Sequence, residues 1–307
     1  MKRVFTTQMI RTAAAAGLLL AVATSGPAQT KAGAGLYRRV DNWAQLPPGY
    51  TWGTMSAVAI DARGNVYGFQ RDDPTSKVIV FDRQGTYLKT WGEGAFPYAH
   101  GMRALRDGYI WTTDRQAQLV LKFDIDGRLL FSLGQKNVAG NMDSTDAFNG
   151  ASDVAMAENG DIFVSDGEGQ NTRIVKFSKN GTFIKAFGTK GAGPGQLQTP
   201  HAIFVDGRDR VWVGDRGNKR LQVFDQDGKF LDQLTQFGTP ASLFIQGDML
   251  YVAAPAPENR VTIGTTDGKV LDVIDGLDAP HGIAVDASGA IYVAQSGGKA
   301  IVKFVKN

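Results

Sequence analysis

The chain has 307 residues, no cysteine, and 33 basic against 30 acidic side chains, a net charge of +3. The absence of cysteine excludes a disulfide frame, a thiolate nucleophile, a soft thiolate metal ligand and a lipid-modified N-terminal cysteine. The length is enough for one large core or two smaller ones.

At the N-terminus Lys2, Arg3 and Arg11 precede the apolar run AAAAGLLLAVA and the small residues of TSGPAQ. This is the pattern of a secretory signal peptide over residues 1–28, with candidate cleavage points after Ala23, Ser25 or Ala28. The run is too short to span a bilayer, and no later segment approaches the roughly 20 apolar residues that a spanning helix needs. An exported product is expected, secreted or periplasmic and without a membrane partner. The leader's three basic residues, with no acidic one, equal the whole charge excess, so the remaining chain is close to neutral. That leaves no basic surface for nucleic acid.

LYRRVDNWAQL (36–46) comes next and stands outside the pattern that follows. Short turn-and-strand segments then recur: DARGNVYGF (61–69), LRDGYIWTT (105–113), AENGDIFVS (157–165), GRDRVWVGD (207–215), GDMLYVAA (247–254) and ASGAIYVAQ (287–295). Each is preceded by an apolar segment such as SAVAI, SDVAM or HGIAV. Each is followed by a hairpin such as KVIVFDRQGTYLKTW or RLQVFDQDGKFLDQL, whose Asp, Asn and Gly accept the backbone angles of tight turns. The unit is therefore four strands. Taking Val66, Ile110, Ile162, Val211, Leu250 and Ile291 as equivalent, the spacings are 44, 52, 49, 39 and 41 residues. Four-stranded units at such periods are propeller blades. The predicted fold is all-β, a six-bladed β-propeller over residues 36–307. The last unit stops after its third strand, and 36–46 is the segment free to supply the fourth and close the ring.

Ten residues ahead of those equivalent points stand Ser56, His100, Ser152, His201, Ala241 and His281, with one deletion in the fifth unit. These are all three histidines of the chain, on alternate blades. Innermost strands line the axis of a propeller, so three imidazoles about 120° apart would converge there. Three neutral imidazoles with an open fourth position are the ligand set of catalytic zinc, and the small residues between them leave it room.

With blades and histidines in place, the chain resembles the NHL-repeat propellers and, among them, the peptidyl-α-hydroxyglycine α-amidating lyases, also called peptidylamidoglycolate lyases. The likeness runs from about Val40 to Asn307 and is carried by AHGMRAL, TPHAIFVD, APHGIAVD, NVYGFQRDD, SDGEGQNTRIVKF and GDRGNKRLQVF. The resemblance implies that His100, His201 and His281 bind zinc, and that Arg71 and Arg216 lie in the substrate pocket. It implies cleavage of a carbinolamide C–N bond to an amide and glyoxylate. Arg216 equally suits a loop tie through Asp114, Asp166 or Asp215.

Two departures qualify this. DGEGQNTR places Glu168 where the lyases carry a catalytic tyrosine, and a carboxylate there could act as a base or close the open metal position. Gly282 follows the third histidine where the lyases often have an aspartate that helps to hold calcium, which weakens the case for that ion. A metal-dependent hydrolase acting on another small substrate and a non-catalytic binding propeller stand as alternatives. The glycine-rich GTKGAGPGQLQTP lacks the Lys-Ser/Thr ending of a phosphate loop and reads as a connection between blades; NGT (180–182) coincides with a hairpin turn, and no G-x-S-x-G elbow is present. The expectation is an exported monomer, a zinc-dependent lyase taking a small-molecule or peptide substrate.

Overall fold

A computed structural model describes residue 1, residues 35–72 and residues 74–307. The expected leader, apart from Met1, lies outside the described residues. Among the described residues no helix is long and apolar enough to cross a membrane.

Six four-stranded antiparallel sheets follow one another along the chain, as the spacing of turns and apolar runs predicts. Blade 1 occupies 55–91, blade 2 99–133, blade 3 151–187, blade 4 200–234 and blade 5 242–274. Blade 6 takes three strands from 280–306 and its outermost strand, Tyr37–Val40, from the other end of the chain. The closing register pairs Tyr37 with Lys306 and Val40 with Lys303. The expected segment 36–46 thus closes the ring, although only four of its residues are strand.

Turn chemistry is repetitive because the sequence is. Asp61, Asp82, Asp124, Asp206, Asp225 and Asp286 each accept two backbone N–H groups from residues two and four ahead, which fixes the hairpin loop. At Gly85 the turn needs φ of 91°, and a Cβ there would fall 1.8 Å from the carbonyl oxygen of Trp43. Only glycine fits that position.

An aromatic residue stands at the second position of the second strand in five blades and at the third in blade 5: Tyr67, Trp111, Phe163, Trp212, Tyr251 and Tyr292, each at most 1% exposed. Each large ring is wedged where two blades meet, and accordingly the buried apolar residues fall into six clusters, each drawing on two neighbouring blades. Each such side chain contributes about 1.5–3 kcal/mol on burial, so the ring is held at its seams. The innermost strand of every blade also packs on those of both neighbours, and this fixes the positions of the residues that face the axis.

The glycine-rich 188–199 is a connection between blades 3 and 4. Thr189–Lys190 and Gln196–Leu197 form a short parallel pair within it. Arg220 ties it down, donating to the carbonyls of Gly193 and Gln196 while its Nε holds Asp215. Arg173 does the same for the 134–150 connection through Met142, Ser144, Ala147 and Asp166.

Candidate metal centre

Five of the six innermost strands begin with a break in register. In five blades the pairing skips a stretch containing Ser56, His100, Ser152, His201 or His281. A bulge leaves its extra residue out of the ladder and re-aims the side chain, and here these residues turn to the axis. Blade 5 differs: its strand starts at Ser242 without a break, and Ala241 stands just ahead of it. All six positions line one small cavity of about 20 Å³.

The histidine rings form a nearly equilateral triangle, with centroid separations of 4.7, 5.0 and 5.1 Å. Their candidate ligand atoms all lie within 4.8 Å of one another. Each ring is oriented by the next blade around the axis. His100 Nδ1 is 2.8 Å from the carbonyl oxygen of Ser152, His201 Nδ1 2.7 Å from that of Ala241, and His281 Nδ1 2.7 Å from that of Ser56. A carbonyl can only accept, so each Nδ1 carries the hydrogen and each Nε2 presents its lone pair to the axis. The three blades without histidine thus supply the carbonyls that fix the three blades with it.

Burial holds all three imidazoles neutral. It pushes His100 and His201 well below the usual histidine range, helped by the neighbouring imidazoles and by Arg71 or Arg216. His281 is pushed down to about 3, by burial first and then by Arg71. Neutral imidazole is the form that binds metal.

Arg71, Glu168 and Arg216 come together on the solvent side of this triangle. Glu168 Oε1 is 3.4 Å from His201 Nε2 and Oε2 is 3.9 Å from His100 Nε2. Arg216 Nη1 holds Glu168 Oε1 at 3.3 Å. Arg71 donates through Nε to the carbonyl of Ala99 at 2.9 Å, lies over the ring of Tyr98, and brings Nη2 within 3.3 Å of His281 Nε2. Of the carboxylates named for a loop tie, Asp166 and Asp215 are held by Arg173 and Arg220.

Arg115 and Tyr98 are additions that sequence reasoning missed. Arg115 donates through Nε to the Glu168 carbonyl at 2.9 Å, places Nη1 3.6 Å from its carboxylate, and stacks over Tyr98. A signal was there: Arg71, Arg115 and Arg216 each directly follow a second strand, in blades 1, 2 and 4. Tyr98, Arg115 and Glu168 line a groove of about 410 Å³ that opens outward.

The donor set fits a cation. His201 Nε2 is buried without a hydrogen-bond partner, and the carboxylate facing it offers only lone pairs. Two acceptors at that distance repel unless a positive charge stands between them. Three imidazoles with a nearby carboxylate suit zinc or another divalent transition ion. Position 282 does not supply a further carboxylate, and a Cβ there would fall 2.6 Å from Cα of Ala57, so any side chain would displace blade 1.

Beneath the histidines the axis is crossed by an ion pair. Arg103 donates to Asp153 through Nε at 3.0 Å and Nη2 at 2.6 Å, and through Nη1 to the Leu243 carbonyl at 3.0 Å. Asp153 also accepts the backbone N–H groups of Val154 and Ile203. Both side chains are buried.

Human NHL repeat-containing protein 3 is 31% identical over 294 residues, covering 88% of this chain and 84% of that protein. The chain belongs to the NHL-repeat family. The family's repeat profile matches residues 197–224 of this NHL-repeat protein, in and just ahead of blade 4. A Caenorhabditis elegans protein named as a probable peptidyl-alpha-hydroxyglycine alpha-amidating lyase is 26% identical over 284 residues, 79% of this chain and 80% of its own. Rat peptidylglycine alpha-amidating monooxygenase is 29% identical over 299 residues, which is 82% of this chain and 30% of that longer protein. Among solved structures, a streptogramin B lyase superposes with a TM-score of 0.62 at 15% identity, over 88% of this chain and 97% of its own. A gluconolactonase from Xanthomonas campestris gives 0.62 at 13%, over 84% and 86%. Likenesses at such identity speak for the fold alone.

Proposed function

We propose that this NHL-repeat protein is an exported, monomeric, zinc-dependent carbon–nitrogen lyase that splits a carbinolamide, a peptide ending in α-hydroxyglycine or a small relative of it, into an amide and glyoxylate. The observation that carries the reading is the convergence of three Nε2 lone pairs whose Nδ1 atoms are all tied to backbone carbonyls. Bound at those atoms, zinc would act as a Lewis acid toward the substrate hydroxyl. Calcium is left out, because an aspartate at 282 does not fit against blade 1.

Each protein group has a distinct task. Arg71, anchored on Ala99 and Tyr98, presents its guanidinium beside His281 and pairs with the substrate carboxylate. Glu168 faces the hydroxyl from the His100–His201 side, away from that carboxylate's anchor at His281, and takes its proton. The O–H electron pair becomes part of the new C=O bond, the C–N bond breaks, and its electrons go to nitrogen. Glu168 returns the proton to that nitrogen, so substrate and products balance without an outside acid. Arg216 and Arg115 keep the carboxylate in place.

The reading is tested by metal analysis of the purified protein together with glyoxylate release from an α-hydroxyglycine peptide. About one zinc per chain and stoichiometric glyoxylate support it. Protein that takes up no metal would instead be the non-catalytic binding propeller. A second reading, a metal-dependent hydrolase, is favoured by Glu168 standing in place of a tyrosine, because a carboxylate can equally take a proton from water. Metal-loaded protein that leaves the α-hydroxyglycine peptide intact would point to it.

A further inference from the structure

At the level of Arg103 the axis is lined by one residue from each innermost strand: Ala59, Arg103, Ala155, Phe204, Phe244 and Ala284. They sit at the same step of each strand and so face the axis together. The two phenylalanine rings, on adjacent blades, lie 5.3 Å apart at 60°. The three alanines leave the rest of this level unfilled. The result is an apolar cavity of about 200 Å³ at the mouth opposite the histidines, walled further by Met156, Ile203 and Ile283.

Charge is placed at only two points around it. Arg103 lines both this cavity and the small one under the histidines, and Asp153 neutralises it. Arg106, also lining the cavity, is exposed and makes no ion pair among the described residues. The mouth therefore combines a neutral floor, apolar walls with partly exposed aromatic rings, and one uncompensated cation.

We propose that this cavity is a second binding site, for a small amphiphile with a compact apolar body and an anionic head. The body displaces water from Phe204, Phe244 and the alanine side, and the head pairs with Arg106. The Arg103–Asp153 pair separates this site from the histidine centre, so the proposal does not depend on the reaction assigned there.

Calorimetric titration of the full chain with octanoate tests it. One octanoate binds per chain. Ala155→Trp and, separately, Ala284→Trp fill the cavity and weaken binding at least about tenfold, while Arg106→Ala weakens it about fivefold, the loss of one rim ion pair. His201→Ala leaves it unchanged. Each variant is first shown to keep the wild-type melting transition, and Ala59→Leu serves where a tryptophan prevents folding. The proposal is overturned if millimolar octanoate gives no binding, if folded cavity-filling variants bind as wild type, or if His201→Ala removes binding. Octanol binding as tightly as octanoate would overturn the anionic head.

Discussion

Replacing Asp153 by alanine tests how the axis is held. Asp153 accepts from two guanidinium nitrogens at 3.0 and 2.6 Å and from two backbone N–H groups at 3.0 and 3.1 Å, and it is 5% exposed. Its removal leaves Arg103, itself 7% exposed, with the Leu243 carbonyl as its remaining hydrogen-bond partner and an uncompensated buried charge. Breaking a buried pair from one side costs about 3–5 kcal/mol. With a urea m-value near about 3 kcal/mol/M, the upper end for small proteins, the unfolding midpoint should fall by about 1–2 M at constant m. Replacing both partners by apolar residues of similar size, Arg103→Met with Asp153→Leu, removes the stranded charge and should recover most of that loss. Urea titrations of the two single variants and the double form a cycle whose coupling should reach at least about 2 kcal/mol. A folded Asp153→Ala variant within about 0.5 kcal/mol of wild type, or a double variant that simply adds the single losses, would refute this account of the pair.

Alanine at His100, His201 or His281 should each reduce bound zinc from about one per chain to background, measured by elemental analysis after dialysis; retention in any one would remove that histidine from the ligand set. Glu168→Gln should abolish glyoxylate release while zinc stays bound, and full activity would exclude Glu168 as the base. Arg115→Ala should lower kcat about tenfold with zinc content unchanged, the usual scale for a residue that orients another, and Arg115→Lys should restore part of it. Deleting residues 35–40 removes the fourth strand of blade 6; the midpoint in urea should fall and size-exclusion chromatography should show self-association through the bared edge.

The fold was legible because each turn and strand repeats its chemistry six times, and the histidines because their offset in the repeat is shared. Arg71, Glu168 and Arg216 could be named through resemblance alone, and the structure brings Arg71 and Glu168 within reach of the histidines and Arg216 onto Glu168. Arg115 escaped because it lies outside every motif that carries the resemblance, although it shares with Arg71 and Arg216 the place directly after a second strand. Arg103 and Asp153 escaped for a different reason. They interrupt otherwise apolar axial strands at non-equivalent steps, and their partnership joins residues 50 positions apart on adjacent blades. No period in a single sequence announces such a pair. The bulges were likewise hidden, since a strand's apolar alternation reads the same with one residue slipped out of register.

The pairing of Tyr37 with Lys306 has a consequence for how the molecule comes into being. A growing chain can finish blades 1 to 5 in order, but the sixth sheet needs residues 37–40 and 280–306 at once. Until synthesis reaches residue 306 the structure is an arc with two raw ends, and closing it requires a search across nearly the whole polypeptide, the kind of contact that slows folding most. The same link makes two distant segments equivalent: loss of Tyr37–Val40 or of residues 303–306 opens the same sheet.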